Sequence, residues 1–173
     1  MRTSPGRPPL SDRAAGAARP EAGDRPAFVE LCASPEVHTC LGGARPLDEL
    51  EREMPAVPGR RPGSFAVEHD GTMTGRIPLR RVTEHHCPSA VGRIDLGCLL
   101  LPHAWGHGYA REACSAALDR LDGPGEPVAL ATQPADTASL RLAARLGFAG
   151  AERFCAWDAD QWLGLRPAPG AHR

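Results

Sequence analysis

The 173-residue chain has a formal net charge of −1, and every basic residue other than histidine is arginine. Near-neutrality excludes the concentrated basic face that nucleic acid or an anionic membrane requires; the lack of lysine excludes a lysine Schiff base or a Walker-type phosphate loop, and the lack of asparagine excludes an N-glycosylation acceptor. No apolar run approaches the roughly 18 residues that span a bilayer, and the N-terminus lacks the apolar stretch of a secretory signal, so a soluble cytoplasmic protein is expected.

In chain order, residues 1–23 are rich in Arg, Pro, Ala and Gly and carry almost no large apolar side chain, which predicts a poorly ordered arm. Asp24 is placed to cap a short helix in which Phe28, Leu31 and Cys32 share a face. Leu47, Leu50 and Met54 mark a second short helix that ends at Pro55. Ser64 to Glu68 alternates as a strand, His69-Asp70-Gly71-Thr72 supplies turn chemistry, and Met73 to Leu79 returns as the second arm of a hairpin. A further strand is expected over Ile94 to Leu101. Ala110, Ala113, Cys114, Ala117, Leu118 and Leu121 follow helical spacing, with Asp122-Gly123-Pro124-Gly125 as the stop. A buried strand follows at Val128 to Thr132, then a helix capped by Asp136 and ended at Gly147. A closing hairpin spans Glu152 to Trp157 and Gln161 to Leu165, and residues 167–173 read as a tail. These elements predict one α+β domain over residues 24–166, its sheet mostly antiparallel and flanked by helices. Six cysteines are present, but Cys32, Cys98 and Cys114 sit at apolar positions and no C-x-x-C pair occurs. They read as small hydrophobes, not as a disulfide framework.

The segment with the most chemical content is His103-Ala104-Trp105-Gly106-His107-Gly108-Tyr109-Ala110, between the Ile94–Leu101 strand and the alanine-rich helix. Two glycines one residue apart leave backbone N–H groups open to an anion, and the helix that follows directs its positive dipole end to the same point. Strand, glycine turn and helix N-terminus in that order cradle a pyrophosphate. The dinucleotide fingerprint does not fit, because its third glycine is missing. A metal site is not expected: His85-His86-Cys87 lacks a fourth ligand, and His103 and His107 straddle the turn.

Several segments resemble the GNAT superfamily of acyl-CoA-dependent N-acetyltransferases. His103-x-x-Gly106-x-Gly108 is similar to the family's Gln/Arg-x-x-Gly-x-Gly/Ala phosphate loop, with His at the first position. Ile94 to Pro102 looks like the central strand. Asp136-Thr137-Ala138-Ser139, followed by Leu142 to Phe148, resembles a helix that usually runs from Asn-x-x-Ser to Leu-Gly-Phe. Ser34-Pro35-Glu36-Val37 through Leu41-Gly42-Gly43 is similar to an early segment of the branch containing ribosomal-protein N-terminal acetyltransferases. The resemblance covers roughly residues 20 to 165.

It implies a GNAT fold whose central strand is bulged and splayed from its neighbour. The pantetheine arm of acetyl-CoA would pair with Leu99, Leu100 and Leu101. The amides of Trp105, Gly106, His107, Gly108, Tyr109 and Ala110, with His103 and Asp136 beside them, would hold the rest of the cofactor. An acceptor amine would attack the thioester directly. Asp95 is the expected base, with Glu68 and Glu152 in reserve. The single tyrosine, Tyr109, lies in the phosphate loop, so Ser139 is the expected acid. The implied acceptor is a primary amine, either a protein N-terminus or a small amine such as an aminoglycoside-like compound, and the implied state is a monomer or homodimer. The weak first strand and missing acid tyrosine raise one alternative, a catalytically impaired acyl-CoA-binding regulatory module of the same fold.

Overall fold

Ser64–His69 (β2) and Thr72–Arg81 (β3) fold back on each other through Asp70 and Gly71, which take φ of 50° and 74°. Side chains alternate across this hairpin, so Val67 and Ile77 enter one face of the sheet and Ala66 and Met73 the other. In the computed structural model, which describes residues 16–121 and 127–168, the hairpin anchors a sheet of eight strands. The others are Gly16–Ala18 (β1), Ile94–Leu96 (β4), Leu99–Leu100 (β5), Val128–Thr132 (β6), Ala149–Ala156 (β7) and Ala159–Arg166 (β8). Their order is β1-β2-β3-β4-β6-β8-β7, with β5 continuing beside β3. All pairs are antiparallel except β4 with β6.

Two pairs of elements cover the sheet: Arg25–Ala33 (α1) with Leu47–Glu53 (α2), and Tyr109–Leu118 (α3) with Thr137–Arg145 (α4). Ala113, Cys114, Ala117 and Leu118 of α3, with Ala143 of α4, pack on Ile94, Leu96, Leu100, Val128 and Leu130. On the opposite face, Phe28 and Leu31 of α1 pack on Ala66, Met73 and Leu101. Burying each of these two large side chains contributes about 1.5–3 kcal/mol. On that same face, Cys87 and Ala90, from the connection between β3 and β4, pack on Ala129 and Leu163. Asp95 belongs to this second face, since its neighbours Ile94 and Leu96 point toward the helices α3 and α4.

The first strand departs from expectation. Gly16–Ala18 pairs with Ala66–Glu68 of β2, inside the segment assigned to a disordered arm, so the domain begins at least eight residues before the expected Asp24 boundary. Small side chains make this possible: Ala17 is buried in the same cluster as Ala113 and Ala117, and α3 packs directly on β1. Residues 1–15, the expected Asp122–Gly125 helix stop and residues 169–173 lie outside the described residues. Asp24 also acts differently. It precedes α1 without capping it, and Oδ2 instead accepts from Glu21 N–H at 2.8 Å, closing the short turn Ala22–Asp24. All six cysteines are free thiols.

Candidate active site

The central strand is where the sheet opens. β4 and β5 pair with β3 in a single register, from Arg81 opposite Ile94 to Gly75 opposite Leu100. The expected bulge is therefore absent from this pairing. The ladder is interrupted instead at Pro78, which has no N–H to donate, although Gly97 N–H still donates to its carbonyl at 2.9 Å. On the other side, β6 stays with β4 only at Ile94–Val128 and Asp95–Ala129, and thereafter pairs with β8 alone. The sheet thus splays between β5 and β6.

Which groups face that split follows from strand alternation. Gly97 and Leu101 donate to Pro78 and Thr74 of β3, so residues 97, 99 and 101 spend their backbone groups on β3. Residues 98 and 100 turn theirs to the split. Of the expected ladder Leu99–Leu101, only Leu100 presents its backbone there, and Cys98, which sequence reasoning omitted, joins it. Trp105 Nε1 donates to the Leu100 carbonyl at 2.9 Å, so the indole bridges the split edge and the glycine turn.

Gly106 and Gly108 take φ of 78° and 82°, in the left-handed region that glycine adopts without strain. Gly108 is the N-cap of α3 and no side chain caps the helix. The leading N–H groups of its first turn therefore have no intrahelical partner. A Cβ on either glycine would meet nothing within 4 Å. The concavity is open, lined by main-chain donors and set at a positive dipole end, which fits a phosphate group. Tyr109 fixes its far wall: the phenol oxygen lies 3.0 Å from His69 Nε2, and the ring stacks on both His69 and His107. This link between the hairpin and the glycine turn was not legible in the sequence, where His69 read only as a turn residue.

Asp95 stands beside Arg80, its cross-strand partner, with Arg80 Nε 3.5 Å from Oδ2. Burial pushes the Asp95 carboxyl above its ordinary value, and the Arg80 charge offsets this only in part. Such a carboxylate is better matched to accepting a proton than an exposed one.

The reserve carboxylates have other partners or positions. Glu152 accepts from Cys87 Sγ at 3.0 Å and from Ser89 Oγ, tying the β3–β4 connection to β7. Those bonds hold its carboxyl below the usual range and make it a weaker base. Glu68 is buried beside a register shift in β2. It lines a cavity of about 590 Å³ with Glu21, Asp24, Glu30, Leu101 and His103, at the Leu101 end of the strand and not at Asp95. His103 thus faces this acidic cavity. Asp136 and Ser139 form the cap of α4: Asp136 Oδ1 accepts from Ser139 N–H at 2.9 Å, and Oδ2 from the Ser139 hydroxyl at 2.7 Å. The Ser139 hydrogen is engaged there, which conflicts with its expected role as acid. Among the described residues, no cluster of His, Cys, Asp or Glu is arranged to hold a metal ion, and no helix is long and apolar enough to cross a membrane.

The family model for the acetyltransferase (GNAT) domain matches residues 18–149. Among solved structures, the fold is similar to an acetyltransferase from Agrobacterium tumefaciens, with a TM-score of 0.67 and 21% identity, covering 95% of this chain and 97% of that one. It is also similar to a GNAT superfamily phosphinothricin acetyltransferase from Sinorhizobium meliloti in complex with AcCoA, with a TM-score of 0.63 and 16% identity, covering 90% and 89%. A ribosomal-protein-alanine N-acetyltransferase from Brucella melitensis matches with a TM-score of 0.63 and 16% identity, covering 87% and 98%. With a family model spanning most of the chain and a glycine turn, split sheet and helix cover in matching order, this chain belongs to the GNAT acetyltransferase domain family.

Proposed function

We propose that this protein transfers an acetyl group from acetyl-CoA to a primary amine, either a protein N-terminus or a small amine. The observation that carries the reading is the uncapped main-chain nest at Gly106–Ala110, which opens beside a split in the sheet. The amides of Trp105 to Ala110 hold the diphosphate, with His107 alongside. The backbone groups of Cys98 and the N–H of Leu100 on the split edge receive the pantetheine arm, the Leu100 carbonyl being engaged by Trp105, and an N–H of that edge polarises the thioester carbonyl. Acetyl-CoA supplies the acyl carbon and a thiolate leaving group.

Helices α3 and α4 fill one face of the sheet, so the amine approaches from the other, between the cover provided by α1 and that provided by Cys87 and Ala90. Asp95 is on that face. It removes a proton from the attacking amine, directly or through water, as the new C–N bond forms and the C–S bond breaks. Because the Ser139 hydrogen is engaged by Asp136, we assign the proton for the departing thiolate to water and assign Ser139 and Asp136 to shaping the start of α4. The non-catalytic alternative loses its main support, since the first strand is present.

A thiol-release assay with acetyl-CoA and a panel of primary amines tests this reading. Acceptor-dependent thiol release that Asp95→Ala removes, with acetyl-CoA binding retained, supports it. Binding without turnover on any amine contradicts it in favour of the regulatory module.

A further inference from the structure

Arg76 lies on β3 directly opposite Leu99, on the face from which the acceptor is proposed to approach. Its guanidinium sits 5.9 Å from the centre of the Phe28 ring of α1. Nε is fully shielded from solvent and makes no hydrogen bond; among the described residues it is the one shielded side-chain nitrogen or oxygen left in that state. No carboxylate of a described residue pairs with it, in contrast to Arg25, Arg45, Arg52 and Arg80, which all have acidic partners. Burial and, to a lesser degree, the like charge of Arg61 disfavour its cationic form, and only the Cys32 thiol acts in the opposite sense. Leaving a shielded guanidinium nitrogen without a partner incurs its full desolvation penalty. That cost is ordinarily avoided by an ion pair, and here none of the described residues supplies one.

The placement is informative. Arg76 stands opposite Leu99, and Leu99 lies on the same strand face as Asp95, so the guanidinium over Phe28 and the Asp95 carboxylate share one side of the sheet. Leu99 and Asp95 are four residues apart along the strand, roughly 13 Å, a span that an arginine side chain and a small bound molecule can bridge together. A small acceptor with its amine at Asp95 and its anion at Arg76 fits this arrangement, and a planar guanidinium is matched to a bidentate carboxylate.

We propose that Arg76 is an acceptor-recognition residue and that the acceptor is a small amino-acid-like molecule carrying a carboxylate within a few bonds of the acetylated amine. The inference rests on the transferase reading above and narrows its acceptor class. An uncharged amine, or the N-terminus of a protein with no carboxylate nearby, would leave the shielded guanidinium unpaired in the complex, and discrimination against it follows.

The test is the thiol-release assay on a set of L-α-amino acids, each paired with its own carboxamide, using wild type, Arg76→Leu and Arg76→Lys. Wild type is expected to favour the acid over the amide in kcat/KM by at least about tenfold. Arg76→Leu is expected to abolish most of that ratio, with Arg76→Lys between the two and the KM for acetyl-CoA unchanged in all three. The change in ratio between enzymes is the readout, because the difference in amine basicity within each pair is common to all of them. Arg76→Leu should also melt no lower than wild type, since it removes a shielded charge without a partner. Equal use of acids and amides by wild type, or a ratio that Arg76→Leu leaves intact, overturns the inference while leaving the transferase reading standing. Acetyl-CoA binding with no turnover on either set overturns it as well. Absence of acetyl-CoA binding altogether overturns the transferase reading, and the inference with it.

Discussion

The Tyr109 hydroxyl lies 3.0 Å from His69 Nε2, joining the first residue of α3 to the last residue of β2. His69 is in turn 3.2 Å from Asp70, in the turn of the hairpin. The glycine turn is thus braced from the sheet side by a side chain 40 residues away in sequence. Main-chain donors bind an anion well only if they are already aimed at it, so a brace of this kind acts on affinity by preorganisation. Tyr109→Phe and His69→Ala are each expected to cost about 1 kcal/mol of stability. Each should also weaken acetyl-CoA binding several-fold, without altering kcat at saturating cofactor. Thermal melts and steady-state kinetics on the two variants separate these effects.

The position of Asp95 sets a pH signature. Burial raises its carboxyl above the ordinary 3.8, and Arg80, with a smaller contribution from His85, pulls the other way. A base must be unprotonated to act, so kcat/KM is expected to fall on the acid side with a midpoint above the ordinary carboxylate value. Asp95→Asn should lower the rate by about 10² to 10⁴. Arg80→Ala should move the acid limb to higher pH, and only modestly, because Arg80 is largely exposed. Stability responds with the opposite sign. A carboxyl whose folded pKa is raised contributes stability that is fully present below its unfolded pKa and is lost as pH rises through the folded one. Asp95→Asn should therefore melt at least as high as wild type at neutral pH while being nearly inactive, which distinguishes a base from a structural carboxylate.

Asp136 and Ser139 separate a cap from an acid. Removing the Asp136 side chain is expected to cost about 0.5–2 kcal/mol through the orphaned N–H groups of α4. Ser139→Ala removes only the hydroxyl bond to Asp136 and should leave kcat within about twofold of wild type. A fall of about 10²-fold or more with normal melting would restore Ser139 as the acid.

Gly75 shows how closely β3 and β5 approach. A Cβ there would lie 2.3 Å from the Leu99 carbonyl oxygen and 2.4 Å from Leu100 Cδ2. Gly75→Ala should destabilise by about 1–3 kcal/mol through overpacking. It should also weaken cofactor binding, because the strand it displaces forms one wall of the split. Chemical denaturation and calorimetry on this variant check both.

Much of the fold is legible in the sequence, and for identifiable reasons. The Ala113, Cys114, Ala117 and Leu118 spacing fixes a helix face, and Asp70-Gly71 fixes a hairpin. Gly106 and Gly108 next to that helix mark the left-handed turn that leaves its first N–H groups uncapped. What escaped depends on tertiary partners. Gly16-Ala17-Ala18 has no strand propensity of its own; pairing with β2 and the close approach of α3 make it a strand. The absence of a bulge between β3 and β5 is a property of register, which a single strand does not encode. Asp136 and Ser139 are ambiguous in principle, because the groups that cap a helix are the same groups that move protons. Arg76 lies in a predicted hairpin strand, and only the tertiary contact with Phe28 of α1 shows that its Nε is shielded with no partner among the described residues.

The claim on which the account most depends is that the main-chain nest around Gly108 grips the diphosphate of the acyl donor. Titration calorimetry of acetyl-CoA into wild type and Gly108→Val, with circular dichroism to show that both are folded, tests it most directly. A side chain at φ 82° carries a left-handed strain of roughly 1–2 kcal/mol or more and turns the donors aside. The account predicts saturable one-to-one binding to wild type and at least tenfold weaker binding to the variant. No heat with wild type at millimolar acetyl-CoA, or equal affinity in the two proteins, would contradict it.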